Sequence, residues 1–494
     1  LNVEGHNVFD LSGNDGTPGA PPVANLNGNL NFNLNNTEHY HQGELPKDYS
    51  GDPAYQPLLT VKVPAGGQGM ANLANSTVSL SNFGTGPLLT VGDRFYLIEL
   101  VNGTEDDPGN KAFTPANPTN NTAYARQGMT IGYTFIIDKN LDNLGNEEDT
   151  RFLVARLEGM GAPPESKVPN TGRDTGITFL HRGYDMFPLY DCDPCCNPCC
   201  TCGPCDPACG TTATRSGWVR TPIADVRGTL YRNNFSSDSW SDVRGALFLG
   251  GLVVQKRLPN GRIHLGAFVD AGDAAYDTYN SFEMLSNDPV IRGNGHLGTI
   301  GGGLLLRRKW NNGFRLDAEV RSGSMKNRFF SSDLITDGEP ARFELKDAYL
   351  GTNIGLNHER NYRESTFDVY SRYNWLMGTG GETTLSTKEI VDFETLNSHR
   401  LISGGRFTRH WNRKVSSYLG GAYEYELDCT SRAIERSSGY DLSLYSTSLR
   451  GGTGIGEMGL NWRRTEQFQA TLGLEGYVGK RAGGSGYMTA LWKW

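Results

Sequence analysis

Cysteine is nearly absent from most of this 494-residue chain: of nine, only Cys429 lies outside residues 192–209. Disulfides spread through the whole fold are thereby excluded. Long hydrophobic runs are missing too, and the longest, GALFLGGLVV at 245–254, is about half of what a membrane-spanning helix needs. A barrel that crosses with strands is left open. Charge of one sign is not in excess, with 46 Lys and Arg against 54 Asp and Glu, so no basic stripe points to nucleic acid. The common catalytic signatures do not occur either: there is no H-E-x-x-H, no P-loop and no G-x-S-x-G elbow. GNGHLG at 293–298 fits the dinucleotide pattern in letters only, because the strand-like GGGLLLRRKW follows where a helix is required. No enzyme, cofactor or catalytic metal site is expected. The opening LNVEGHNVFD has neither the basic nor the apolar region of a secretory signal. The chain is therefore expected to be the C-terminal part of something longer.

What is present is glycine, at 63 residues, with aromatics and with Asn, Gly, Pro and Asp clusters that punctuate short apolar bursts. That composition is β-rich. Residues 1–165 carry such bursts as NLNFNL, QPLLTVKV, GYTFIID and RFLVARL, and the near-repeat of PLLTV at 57–61 and 87–91 suggests stacked rungs. Residues 166–190 predict one slim helix, starting after Pro169. A cysteine-rich stretch over 191–212 follows, and from 213 to 494 the texture changes again.

In that last region strand-length segments alternate. In GEMGLNWRR, Met458, Leu460 and Trp462 share one face and Glu457, Asn461 and Arg463 the other. YLGGAYEYELD sets Leu419, Tyr423, Tyr425 and Leu427 against Glu424, Glu426 and Asp428; GFRLDAEVR sets Phe314, Leu316, Ala318 and Val320 against Arg315, Asp317, Glu319 and Arg321. A soluble sandwich alternates in the same way. Three features favour a membrane barrel. About twelve segments recur roughly every twenty residues. Trp310, Trp375, Trp411, Trp462 and Trp494 gather near segment ends, as interfacial girdles would place them. The final GYMTALWKW puts Met488, Ala490, Trp492 and Trp494 on one face, as a lipid-facing closing strand requires.

The blocks GAFVDAGDAAYDTYNSF (266–282), GTIGGGLLLRRKWNNGFRLDAEVRSG (298–323), DVYSRYNW (368–375), SHRLISGGRFTRHW (398–411) and YLGGAYEYELD (418–428) resemble, in order, the translocator barrel of bacterial autotransporters. LTVGDRFYLIEL and GYTFIID resemble the strands that end an autotransporter passenger, and GRDTGITFLHRGYDM resembles the stretch leading into the barrel. Thr171 stands where the family commonly has an acidic residue before the Gly-Arg pair.

The resemblance implies an all-β chain. The end of a β-helical passenger (1–165) would be followed by a linker with a pore helix (166–190), a Cys-rich loop (191–212) and a twelve-stranded antiparallel outer-membrane barrel (213–494). It further implies export and surface display of the chain's own passenger, with outer-membrane lipid and the barrel-assembly machinery as partners and a monomeric state. In the pore helix, Gly172, Gly176 and Gly183 would keep the plug slender, while Arg173, His181, Arg182 and Asp185 offer charge. Their partners are expected among the inward carboxylates Glu424, Glu426 and Glu457; alternatively these only solvate a wet lumen or pair with wall arginines such as Arg315, Arg372, Arg400 and Arg406. Asn170 is followed by Thr171 and not by a second Asn, so release of the passenger at an Asn-Asn pair is not expected. Cys192, Cys195, Cys196, Cys199, Cys200, Cys202, Cys205 and Cys209 would lie downstream of the helix, at the periplasmic mouth or folded back into the lumen. Disulfides, thiolate metal binding and a disordered tract remain open for them. A porin-like channel with a small surface domain and a soluble β-rich binding protein are the competing readings.

Overall fold

The computed structural model describes residues 2–3, 7–10, 23–25, 28–34, 57–62, 70–72, 76–80, 88–101, 122–139, 152–186, 219–235, 239–282, 290–336, 338–465 and 467–492. The Cys-rich tract, Trp494 and the side chain of Asp185 lie outside the described residues.

Twelve antiparallel strands close on themselves. They are β1 (Val219–Asn234), β2 (Trp240–Leu258), β3 (Gly261–Asn280), β4 (Ile291–Trp310), β5 (Phe314–Thr336) and β6 (Glu339–Tyr362). The ring continues with β7 (Ser365–Gly378), β8 (Leu396–His410), β9 (Val415–Ser431), β10 (Gly451–Arg463), β11 (Phe468–Gly479) and β12 (Arg481–Trp492). Each strand pairs with the next, and β12 returns to β1 through the register Ile223↔Leu491 to Asn233↔Arg481. Closure leaves no unpaired edge, which hydrocarbon would penalise by several kcal/mol per exposed backbone group.

Period-two alternation is what makes this ring amphipathic. Outward-pointing Ile300, Leu304, Val320, Ile354, Leu419, Met458, Leu472 and Met488 are 50–67% exposed, whereas the inward Arg321, Glu424, Glu457 and Thr489 are at most 6% exposed. The outer face is thus apolar, the reverse of a soluble domain, while the charged side chains turn inward beside an apolar filling that includes Leu247, Leu297 and Phe329. No helix among the described residues is long and apolar enough to cross a membrane; the strands have the surface for it. Trp310, Trp411, Trp462 and Trp492 sit at or beside strand ends on the side where the connections are short. GNGHLG lies wholly within strand β4, which removes the dinucleotide reading.

The ladder slips in two places: near the far ends of β5 and β6, where Ser331 pairs with Ala341 but Ile335 with Pro340, and between β8 and β9. Arg400 pairs with Glu426 but His399 pairs with Asp428, so Leu427 is left over as a bulge. Cys429 is consequently the buried residue and Asp428 is exposed, not inward as strict alternation predicts.

At the end of the barrel with long connections, two loops build a cap. Gly381–Thr384, Ile390–Phe393, Ala433–Glu435 and Leu442–Ser443 form a four-stranded sheet over the mouth. Beyond it lies the N-terminal part. Arg94–Val101, Phe152–Gly161, Ile131–Lys139 and Thr122–Gln127 are antiparallel neighbours, and Asn7–Asp10 and Leu59–Lys62 extend the same sheet in parallel. Two further sets pair in parallel: Asn2–Val3 with Gly28–Phe32 and Ser76–Leu80, and Val23–Asn25 with Met70–Asn72. Phe32, Val61, Phe95, Leu97 and Phe135 make their common core. The two PLLTV copies do not stack on each other, because Leu59–Lys62 pairs with Ile98–Val101, seven or more residues past the second copy.

Candidate functional site

One helix, α1 (Lys167–His181), runs inside the barrel, and every one of its residues is buried. It begins ahead of Pro169, not after it. The first four N–H groups of a helix have no intrahelical acceptor, so proline at the third position costs no bond.

The helix lies close to the wall where its glycines are. A Cβ at Gly172 would come within 3.0 Å of the Tyr276 hydroxyl, and one at Gly176 within 2.6 Å of Met325 Sδ. Gly183, just past the helix, lies against the Arg321 guanidinium. Polar side chains then tie α1 around the ring. Thr171 Oγ1 donates to Asn280 Oδ1 at 2.9 Å, Asn327 Nδ2 donates to the Gly172 carbonyl at 2.9 Å, and Thr175 Oγ1 donates to Ser241 Oγ at 2.8 Å. Asn233 Nδ2 donates to Thr178 Oγ1 at 3.0 Å, and Thr447 Oγ1 donates to Asp174 Oδ2 at 2.5 Å. These partners come from strands on opposite sides of the lumen.

The helix cations find acids that the sequence reading did not single out. Arg173 pairs with Asp347 at 3.3 Å and donates to the Glu394 carbonyl at 2.5 Å. Arg182 donates to the Tyr477 hydroxyl at 2.6 Å and lies 3.7 Å from Glu475, which also pairs with Arg227 at 2.7 Å. His181 Nε2 meets Ser398 Oγ at 2.7 Å, and Ser398 in turn donates to Glu426. Glu424, Glu426 and Glu457 themselves pair with the wall: Glu424 with Arg400 and Arg481, Glu426 with Arg400 at 2.6 Å, Glu457 with Arg406 at 2.5 Å. The wall-to-wall alternative therefore describes these three carboxylates. Asp347 and Glu475 were legible in principle, since each sits at the inward phase of its strand: Leu345 before Asp347 is buried, and Leu474 before Glu475 is exposed.

The other expected lumen residues also face inward. Arg315 and Arg307 both hold Asp317, Arg321 pairs with Asp270 at 2.5 Å and lies 5.0 Å over the Tyr184 ring, and Glu319 is buried beside them in phase. Arg372 lies over the Tyr370 ring at 4.4 Å. On β12, Met488 and Trp492 point outward and are exposed, with Ala490 half-buried between them.

Where the N-terminal sheet meets the cap, the Met129 N–H donates to Glu389 Oε1 at 2.7 Å and the Thr387 hydroxyl donates to Oε2. Gly128, at φ +58°, brings the turn so close that a Cβ there would collide with the carboxylate. Burial pushes the Glu389 carboxyl above its ordinary range. Among the described residues no group of three or more His, Cys, Asp or Glu could hold a metal ion.

A closed ring of strands, apolar outside and ionic inside, with a helix threaded through it, defines a transmembrane β-barrel with a plugged lumen. No family model and no curated protein matches the chain. Among solved structures, the translocator domain of the autotransporter NalP from Neisseria meningitidis is similar with a TM-score of 0.47 and 11% identity, over 66% of this chain and 100% of that one. The transport unit of the autotransporter AIDA-I from Escherichia coli gives 0.43 and 13%, over 66% and 98%. The beta domain of the Bordetella autotransporter BrkA gives 0.41 and 14%, over 56% and 100%.

Proposed function

We propose that this chain is the membrane-proximal part of an outer-membrane autotransporter, whose barrel exports its own N-terminal passenger and keeps it displayed, uncleaved and adhesin-like, on the cell surface. The observation that carries this reading is helix α1, wholly buried in the lumen and joined by the chain to the N-terminal sheets at one mouth. A conducting channel has no use for a helix that fills it. The parallel pairings among residues 2–101 support a β-helical passenger end, with the barrel domain starting near 213. Asn170 inside α1, followed by Thr171, supports a tethered passenger. The working partners are outer-membrane lipid, the barrel-assembly machinery and the passenger as cargo, with the barrel acting as a monomer.

Deleting residues 166–190 tests the reading in planar bilayers. Single-channel conductance is expected to rise severalfold over the intact chain. Unchanged conductance places the helix outside the conducting path and restores the channel reading.

A further inference from the structure

The outer wall carries a second pattern that protein export does not use. Strands β5 and β6 are 23 and 24 residues long, far more than the 9–11 or so that a bilayer needs. Their outward side chains change character along their length. On β6 the sequence from the short-turn end is Leu356, Ile354, Thr352, Leu350, then Ala348 and Lys346; on β5 it is Leu316, Ala318, Val320, then Ser322, Ser324, Lys326 and Arg328.

Just past the apolar belt, therefore, four cations, Lys326, Arg328, Arg342 and Lys346, surround a single carboxylate, Glu344. Glu344 is already engaged by Lys326 at 2.7 Å and Arg328 at 3.1 Å. Lys326 and Lys346 stand directly opposite each other across the ladder. Like charges in that position destabilise a sheet unless an anion lies between them. Lys346 has no ion-pair partner among the described residues.

Further from the belt, on the neighbouring strands, an open groove of about 340 Å³ is lined by Trp240, Tyr279, Asp242, Asp277, Arg292 and Asn294. Trp240 and Tyr279 stack at 3.7 Å and 15°. Arg232 lies over the other face of Trp240 at 4.9 Å, so the aromatic face turned to the groove is that of Tyr279, which with Asn294 and Arg292 beside it suits the apolar face and hydroxyls of a sugar ring. From the membrane outward the wall thus offers hydrocarbon contact, then an anion site, then a sugar site. One amphiphile has its parts in that order, a phosphorylated glycolipid with acyl chains, phosphorylated sugars and an outer oligosaccharide.

We infer that this face of the barrel binds a phosphorylated glycolipid of the outer leaflet, with a phosphate between Lys326 and Lys346 and a sugar on Tyr279. The inference rests on the membrane-barrel reading and goes beyond it.

Full-chain protein in mild detergent is titrated with bisphosphorylated lipid A, with its dephosphorylated form, with phosphatidylglycerol and with inorganic phosphate, and bound lipid is counted by native mass spectrometry. Wild-type protein is expected to prefer bisphosphorylated lipid A over the dephosphorylated form by about tenfold or more, taking each lysine's attraction for an anionic lipid as worth several-fold. Inorganic phosphate should not compete. Lys326→Gln with Lys346→Gln should abolish the preference. Tyr279→Ala should leave lipid A binding intact but remove the added affinity of lipopolysaccharide carrying core sugars. Equal binding of the two lipid A forms, phosphatidylglycerol bound as tightly, or unaffected variants each overturn the inference. Heat-dependent gel mobility of the same wild-type sample separates the two failures. Its loss refutes the barrel, whereas a folded barrel without the preference refutes only this site.

Discussion

Arg173 offers the sharpest test of how the helix is held. Its guanidinium and the Asp347 carboxylate are 0% and 1% exposed, 3.3 Å apart, and each has other partners. Asp347 accepts from the Thr379 hydroxyl at 3.2 Å and from the Gly380 N–H at 2.9 Å, whereas Arg173 otherwise reaches only backbone carbonyls and the Phe393 ring. Breaking a buried pair by removing one partner typically costs about 3–5 kcal/mol. Arg173→Met should fall at or below the low end, because the stranded carboxylate keeps two donors. Asp347→Leu should fall at the high end, because the buried guanidinium then has no carboxylate within ion-pair distance. At about 1.4 kcal/mol per factor of ten, 3 kcal/mol raises the ratio of open to plugged barrels more than a hundredfold. Open probability in planar bilayers reads that ratio directly. The double variant should return to within about 1 kcal/mol of wild type, since a buried pair replaced by apolar groups is close to neutral. If all three variants open as rarely as wild type, the helix is not held by this pair. Equal effects of the two single changes would refute the asymmetry drawn from Thr379 and Gly380.

Three more outcomes are expected. Arg at Leu304, 67% exposed on the outer face, should destabilise the barrel in lipid by about 2–4 kcal/mol if it lies near the midplane, while Arg at the half-buried Asn461 should matter much less; refolding titrations in vesicles compare them. Glu389 has a raised folded-state pKa, so the contact between the Gly128–Met129 turn and the cap should be firmest below the usual carboxylate value of 4.5 and loosen as pH rises through the raised value. Hydrogen exchange of the Met129 amide should follow that trend, and Glu389→Gln should flatten it. In cells, a thiol reagent should label Cys192–Cys209 only after reduction if they are bridged, or only after chelation if they hold metal, whereas Cys429, 0% exposed, should resist labelling until the barrel is unfolded.

The sequence by itself determined which side chains share a face of each strand. That information is local, because side chains alternate with a period of two whatever the strand pairs with. Met458 and Leu460 against Glu457, or Leu316 and Val320 against Asp317 and Glu319, already specify a two-faced sheet, whereas the outward turn of its apolar face shows only in the closed ring. The slender helix was legible in the glycines at 172 and 176. Tertiary structure alone decided who meets whom. Arg173 finds Asp347, and not one of the acids on β9, because a lumen contact depends on the stagger of a dozen strands and the depth of the helix, and no periodicity encodes either. The bulge at Leu427 is of this kind, since a skipped residue shows only against its partner strand and reverses the fate of Asp428 and Cys429. So is the cap, where segments near residues 390 and 434 become neighbours only after the barrel has brought their loops to one mouth.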